Sequence, residues 1–331
     1  MYKIQLDSLV SFQNYLNSAD SDWVSIYVNN NAVAFIMSTS EVATIYQAIC
    51  ASSEPNASEL FRVKRDVLKN SIKSQVIYLE SLNDRVIIKT IAQSGTLTEV
   101  NTAKHAEFLN NIQKYLVVAQ RMSSNKFFNA MPLKNLMTIA KIYNSFFEVA
   151  SSVGCVMSRD TTRFFSEVKG VPDLALTASG AAMLFKCNYQ WSTMENYVCA
   201  KDNSFIVIVT QCRGTGAVSD YFDIITAGGS ALESTISLSD VIAVATRVKE
   251  PVIDYLFRDN KCMIHSNGDI YTVSVPTQKI QIAEKFDKQS LRLNTKLVCN
   301  LLSKFATTVV HISIKKYFNI IRTDDILIVF K

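Results

Sequence analysis

The stretch Leu291–Lys331, LRLNTKLVCNLLSKFATTVVHISIKKYFNIIRTDDILIVFK, carries two hydrophobic periods in succession. Leu297, Val298, Leu301, Leu302 and Phe305 fall on one arc at 3.6-residue spacing, and Lys296, Asn300, Ser303 and Lys304 fall on the opposite arc. That is the pattern of an amphipathic helix, with Asn294 placed as its N-cap. The period then drops to two through Val309–Ile314, Tyr317–Ile321 and, after the turn Thr323-Asp324-Asp325, Ile326–Phe330. The unit reads as one helix followed by a three-strand meander.

Such a unit cannot bury both of its apolar faces alone, so it predicts copies of itself. A first copy runs from the strand Lys3–Leu6 into a helix over Asp7–Leu16 and the strands Trp23–Val28 and Ala32–Met37. A second places a helix over Phe61–Lys73 and strands at Val76–Leu79 and Val86–Ile91. A third has its helix over Met131–Tyr143 and strands at Phe146–Val149, Gly154–Met157 and Phe164–Val168. A fourth has Leu174–Gln190, then Glu195–Cys199 and Phe205–Gln211; a fifth has Ile236–Lys249, then Ile253–Phe257, Lys261–His265 and Ile270–Val275. With the C-terminal unit these form three pairs, and a pair makes a domain of about 100 residues with helices on one face of its sheets. The polar run Arg121–Lys126 and the glycine-rich Ala227–Ser230 mark the boundaries, giving an α+β chain with domains at 1–121, 122–228 and 229–331. Ser38–Leu60 falls outside the pattern and reads as a connecting crossover.

Composition bounds the function. With 48% hydrophobic and 19% charged residues, most of the chain should be packed rather than disordered. No apolar run approaches the roughly 18 residues of a membrane span, and the N-terminus lacks a signal-peptide layout, so no membrane association and a cytoplasmic location are expected. The seven cysteines are scattered without Cys-x-x-Cys pairs in apolar settings, which suits buried thiols in a reducing compartment. Catalytic signals are weak. There is no Gly-x-x-x-x-Gly-Lys loop, His-Glu-x-x-His or Gly-x-Ser-x-Gly elbow. With only His105, His265 and His311, a histidine metal site is not expected; neither a catalytic residue nor a cofactor is assigned. Ser166–Lys169 matches Ser-x-x-Lys without its companion motifs, and Arg213-Gly214-Thr215-Gly216 follows no strand-to-helix phosphate layout and reads as a loop.

The net charge is only +5, so affinity for nucleic acid must come from where the cations lie. They lie on the predicted helices. Arg65, Lys69 and Lys73 form a stripe at i, i+4 and i+8; Lys134 and Lys141 share a face opposite Leu136, Ala140 and Tyr143; Lys296 and Lys304 do the same in the last unit. Arg247, Lys186 and Lys249 add to the set, while the first helix turns Asp7, Ser11 and Asn14 outward instead. A single lysine stripe is what any amphipathic helix turns to water. Five helices of six agreeing, within a repeat that puts equivalent faces on one surface, point to phosphate contacts that fix no register and read no sequence.

Three pairs of such units in a chain of this length resemble the bacterial-type DNA sliding clamp, the beta subunit of replicative DNA polymerase. The opening Met1–Leu9, in which a strand runs straight into a helix, is similar to the family's start, and Leu293–Lys331 to its last unit. Ser158-Arg159-Asp160-Thr161-Thr162-Arg163-Phe164 resembles the family's second-domain stretch Thr-Asp-Gly-His-Arg-Leu, with Thr161 and Thr162 replacing the glycine and histidine. Asp220–Ile225 resembles the Asp-Tyr-Arg-Arg-Val-Leu linker before the third domain, with Asp223 where the family has arginine. The resemblance implies a DNA clamp fold with helices inside and sheets outside a homodimeric ring. It implies a processivity factor that encircles double-stranded DNA, is opened by a clamp loader and tethers the DNA polymerase. Arg65, Lys69, Lys73, Lys134, Lys141, Lys186, Arg247, Lys249, Lys296 and Lys304 would face the duplex. It further implies an apolar cleft for partner peptides, walled by Arg159, Thr161, Arg163, Phe164, Ile224, Ile328 and Phe330. The alternative is a clamp-fold scaffold or interaction protein that closes no ring.

Overall fold

A computed structural model describes residues 1–18, 21–29, 31–52, 58–82, 85–90, 93–99, 105–122, 124–202, 205–226, 232–247, 252–258, 261–266, 269–274, 277–280, 290–294, 301–304, 309–315 and 317–330. They group into two compact units, one of Met1–Met131 with Ser179–Cys212, the other of Pro132–Ala178 with Arg213–Lys331. The helices in chain order are α1 (Leu9–Leu16), α2 (Arg65–Ser71), α3 (His105–Met122), α4 (Lys134–Tyr143), α5 (Ala178–Cys187), α6 (Ser219–Thr226) and α7 (Leu238–Arg247).

In the first unit Ser8 caps α1, its side chain accepting from the Ser11 amide, and the helix buries Phe12, Tyr15 and Leu16. The Phe12 ring lies 4.8 Å from Phe35 and 5.0 Å from Tyr46, edge to face, so the helix is fixed to the sheet by aromatic packing as well as buried area. The organising strand is Val42–Ser52. Its first half pairs with Phe205–Thr210 and its second half with Tyr2–Gln5, while Ala32–Ser38 runs along its other edge. These ladders are antiparallel and belong to one twelve-stranded sheet. Ile112, Val118, Ala119 and Met122 of α3 pack against Ile45, Cys199, Ile206 and Ile208.

The second unit holds a nine-stranded sheet in the order Leu174–Thr177, Phe146–Ala150, Val153–Met157, Arg163–Glu167, Leu327–Phe330, Asn319–Arg322, Val309–Ile314, Leu232–Ser237 and Thr277–Ile280. The C-terminal strand is thus an interior strand, paired with Arg163–Glu167 on one side and Asn319–Arg322 on the other. A separate four-stranded sheet comprises Asp269–Ser274, Lys261–Ser266, Val252–Arg258 and Ser290–Asn294. Helix α4 lies over the nine-stranded sheet, ends at Asn144 in the left-handed conformation (φ 48°) and buries Leu136, Ile139 and Ala140. Gly154 leaves the space that Leu136 fills.

Several sequence expectations are corrected. Ser38–Leu60 is not a bare crossover: it holds the eleven-residue strand Val42–Ser52 and the start of Ser58–Lys64. Ala43, Thr44, Ile45 and Tyr46 are all buried, so the first half of the strand is covered on both faces and shows no alternation there. The helices of the second, fourth and fifth units begin later than expected, because Phe61–Lys64, Leu174–Thr177 and Leu232–Ser237 are strands that run into α2, α5 and α7, as Tyr2–Gln5 does before α1. Lys73 consequently lies beyond the end of α2 at Ile72. The expected helix of the last unit falls mostly outside the described residues; Leu302–Lys304 forms a 3-10 turn.

Candidate functional site

The expected duplex-facing cations are distributed as follows. Lys69 is exposed in the last turn of α2, where Nζ donates to Asn17 Oδ1 at 2.8 Å and so braces the C-cap of α1. Arg65 opens α2 with its Nε 3.9 Å from Asp66 Oδ1. Lys134 and Lys141 are exposed at the two ends of α4, and Lys186 is exposed in the last turn of α5. Lys73 and Lys304 are exposed outside α-helix. Arg247 ends α7, and Lys249 and Lys296 lie outside the described residues. Lys69, Lys141 and Lys186 thus sit at helix C-termini, where the macrodipole also favours a cation. That position serves the helix whether or not a phosphate is bound.

The expected partner cleft divides between the two faces of the nine-stranded sheet. Arg163 lies opposite Val329, Phe164 opposite Ile328 and Phe165 opposite Leu327, and residues opposite one another in an antiparallel ladder share a face. Phe164 and Ile328 therefore point the same way, toward α4, where the Tyr143 ring lies 4.9 Å from Phe164. Both are fully buried, and Phe330, two residues on from Ile328, is 9% exposed. These three side chains belong to the core beneath α4. Ile224 packs on the other face with Phe165, Leu327, Val329 and Ile320. Arg159 and Thr161 are exposed in the turn between the buried Ser158 and Thr162, with Thr161 at φ 67°. The one-residue offset between Phe164 and Phe165 exchanges the faces, and only Arg163 and Ile224 of the expected strand and linker walls lie on the α6 side.

On that side α6 stands over the sheet. Arg163 Nη1 meets Asp220 Oδ2 at 2.5 Å, anchoring the first turn, and the Tyr221 ring lies 5.3 Å from Phe165. Beyond its last turn a recess of about 530 Å³ opens between Ile224 and Ile225 and the strands that carry Glu233, His311 and Arg322. Register builds its floor in two rows. Arg322 is opposite His311, which is opposite Thr235; Ile320 is opposite Ser313, which is opposite Glu233. Thr235 Oγ1 and His311 Nδ1 are 3.2 Å apart. Lys315 stands at the rim; burial holds its pKa below the ordinary lysine value, Glu233 opposes this and Arg322 adds to it. A second recess of about 470 Å³ lies where Tyr221 and Phe165 meet Asp324 and Leu327, and Arg322 borders both. Phe222 and Ile225, at 48% and 39% exposure, continue the apolar surface along α6. Ile225 and Phe222 were not expected from the sequence, although both lie in the linker motif. Among the described residues no group of three or more His, Cys, Asp or Glu is arranged to hold a metal.

No family model and no curated protein sequence matches the chain. Solved structures do. The DNA polymerase sliding clamp from Bacillus subtilis superimposes with a TM-score of 0.65 at 12% identity, covering 99% of this chain and 97% of that one. The beta subunit of DNA polymerase III from Thermotoga maritima gives 0.62 at 9% identity over 99% and 98%. The Helicobacter pylori beta clamp bound to a DNA ligase peptide gives 0.60 at 13% identity over 99% and 98%. From end to end, the chain has the fold of the bacterial DNA polymerase sliding clamps.

Proposed function

We propose that this chain is a DNA polymerase processivity factor, a sliding clamp that encircles duplex DNA and tethers a polymerase without reading sequence. The observation that carries the reading is the fold match over nearly the whole length of both chains. Three successive domains, 1–121, 122–228 and 229–331, in two head-to-tail copies make a ring of six, and closure would remove the exposed sheet edges that an open arrangement leaves. Exposed Lys69, Lys134, Lys141, Lys186 and Lys304 supply flexible cations suited to transient phosphate contacts.

Partner peptides of the polymerase and of the loader would dock beside α6, on Ile224, Ile225 and Ile320, with Arg322 and Lys315 at the rim. One clamp of this fold has been solved with a DNA ligase peptide bound, which supports a linear-peptide mode. Light scattering of the purified chain tests ring closure: the expected mass is twice 37.0 kDa, and a stable monomer at micromolar concentration contradicts it.

A further inference from the structure

The loop Arg213–Gly216 follows no phosphate-binding layout in the sequence, yet it wraps an anion that the protein itself supplies. Glu148, in the strand Phe146–Ala150, is 6% exposed. Its Oε2 accepts from the Thr215 amide at 2.5 Å and the Gly216 amide at 3.2 Å; its Oε1 accepts from the Val218 amide at 3.1 Å and the Thr215 hydroxyl at 3.2 Å. Converging backbone N–H groups just before a helix are the arrangement that proteins use to hold anions, and a buried carboxylate needs such partners. The glycines are required by the wrap. A Cβ on Gly214 would lie 2.6 Å from Glu148 Oε2, and Gly216 adopts φ +74°, a conformation that L side chains rarely take.

We infer that Glu148 is a positioning residue that latches the 213–218 loop and so sets where α6 stands as the wall of the partner groove. Glu148 touches no groove surface itself. It acts through Val218 and Ala217, which enter the same apolar cluster as Ile224, and the Arg163–Asp220 pair secures the next turn. The loop and the first turn of α6 are therefore held by two charged contacts from the sheet, while the last turn, which carries Ile224 and Ile225, borders the recess. With the latch released, the wall would shift or fray, and partner affinity would fall with no contact to the partner removed. This rests on the peptide-docking reading above.

The test compares wild type, Glu148→Gln, Gly214→Ala and Glu148→Ala by hydrogen exchange across 213–226 and by calorimetry. The calorimetric probe is a synthetic peptide copying the C-terminal tail of the replicative polymerase from the same genome. Glu148→Gln keeps the volume but sets an amide donor against N–H donors; exchange should speed up and peptide affinity fall, each about tenfold, as for the loss of a charge-assisted bond. Gly214→Ala displaces the carboxylate without removing it and should act in the same direction, which keeps the test open if the glutamine variant does not fold. In Glu148→Ala, sodium formate should restore both protection and affinity, whereas sodium chloride at equal ionic strength should not. Wild-type protection of 213–226 in the glutamine variant overturns the latch. Lost protection with unchanged peptide affinity overturns its role at the groove. If wild-type protein binds no peptide, the docking reading fails by itself, and the exchange and formate results still decide the latch.

Discussion

Cys155, Cys199 and Cys262 are each pushed up to about 12 because burial deprives the thiolate of water, with Glu148 adding to the effect at Cys155. An unfolded thiol ionises near about 8.5, so between that value and 12 the folded state keeps protons that the unfolded state has lost. Stability from these groups is fully present below the unfolded value and declines as pH rises toward the folded one. Urea midpoints should hold level to about pH 8 and then fall steadily to pH 11, where unfolded thiols are ionised. A flat profile to pH 11 would show that the thiols are hydrated. Packing makes a second prediction at this scale. A methyl at Gly154 overlaps Leu136 Cδ1, so Gly154→Ala should destabilise by about 1–3 kcal/mol through overpacking, read as a lowered melting temperature. An unshifted melting curve would mean that Leu136 is free to move aside.

At the scale of elements, α6 borders the recess, and with it the proposed partner groove, through its last turn. Ile225 borders the recess and is 39% exposed, so Ile225→Glu should leave the melting temperature within a degree or two while cutting polymerase-peptide affinity about tenfold. Equal affinity of variant and wild type would move the docking surface elsewhere. The helix-plus-meander units were legible because their surfaces alternate: Val309–Ile314 buries Val310, Ile312 and Ile314 and exposes Val309 and His311. Val42–Ser52 escaped because its first half, Ala43–Tyr46, is buried on both faces, and because the exposed position Ile49 in its second half is itself apolar. Helix α3 was missed although Ile112, Ala119 and Met122 recur at helical spacing, because it lies outside the repeat that guided the search. Of the two α6 residues that wall the recess, Ile224 was named from the sequence and Ile225 was not. The resemblance pointed to the strands Arg163–Glu167 and Leu327–Phe330, but which of Phe164 and Phe165 faces α6 depends on a strand register that no local pattern states. Glu148 was invisible for the same reason: its partners lie 67 to 70 residues away.

At the scale of the whole molecule, a net charge of +5 leaves the proposed DNA affinity to the placement of a few lysines. Each of Lys69, Lys134 and Lys141 changed to alanine should lower affinity uniformly across sequences and reduce the slope of log affinity against log salt by about 0.9 per lost contact. Variants that lose affinity on one sequence and keep it on another would indicate base reading instead. Encirclement is the central claim, and topology distinguishes it from ordinary binding. The chain should be loaded with its cognate loader and ATP onto singly nicked circular DNA, passed through a sizing column in high salt, and then measured again after the circle is cut once. The account predicts that protein stays with the circle through the salt and leaves when the DNA is linearised. Equal retention, or equal loss, on circle and line would contradict it.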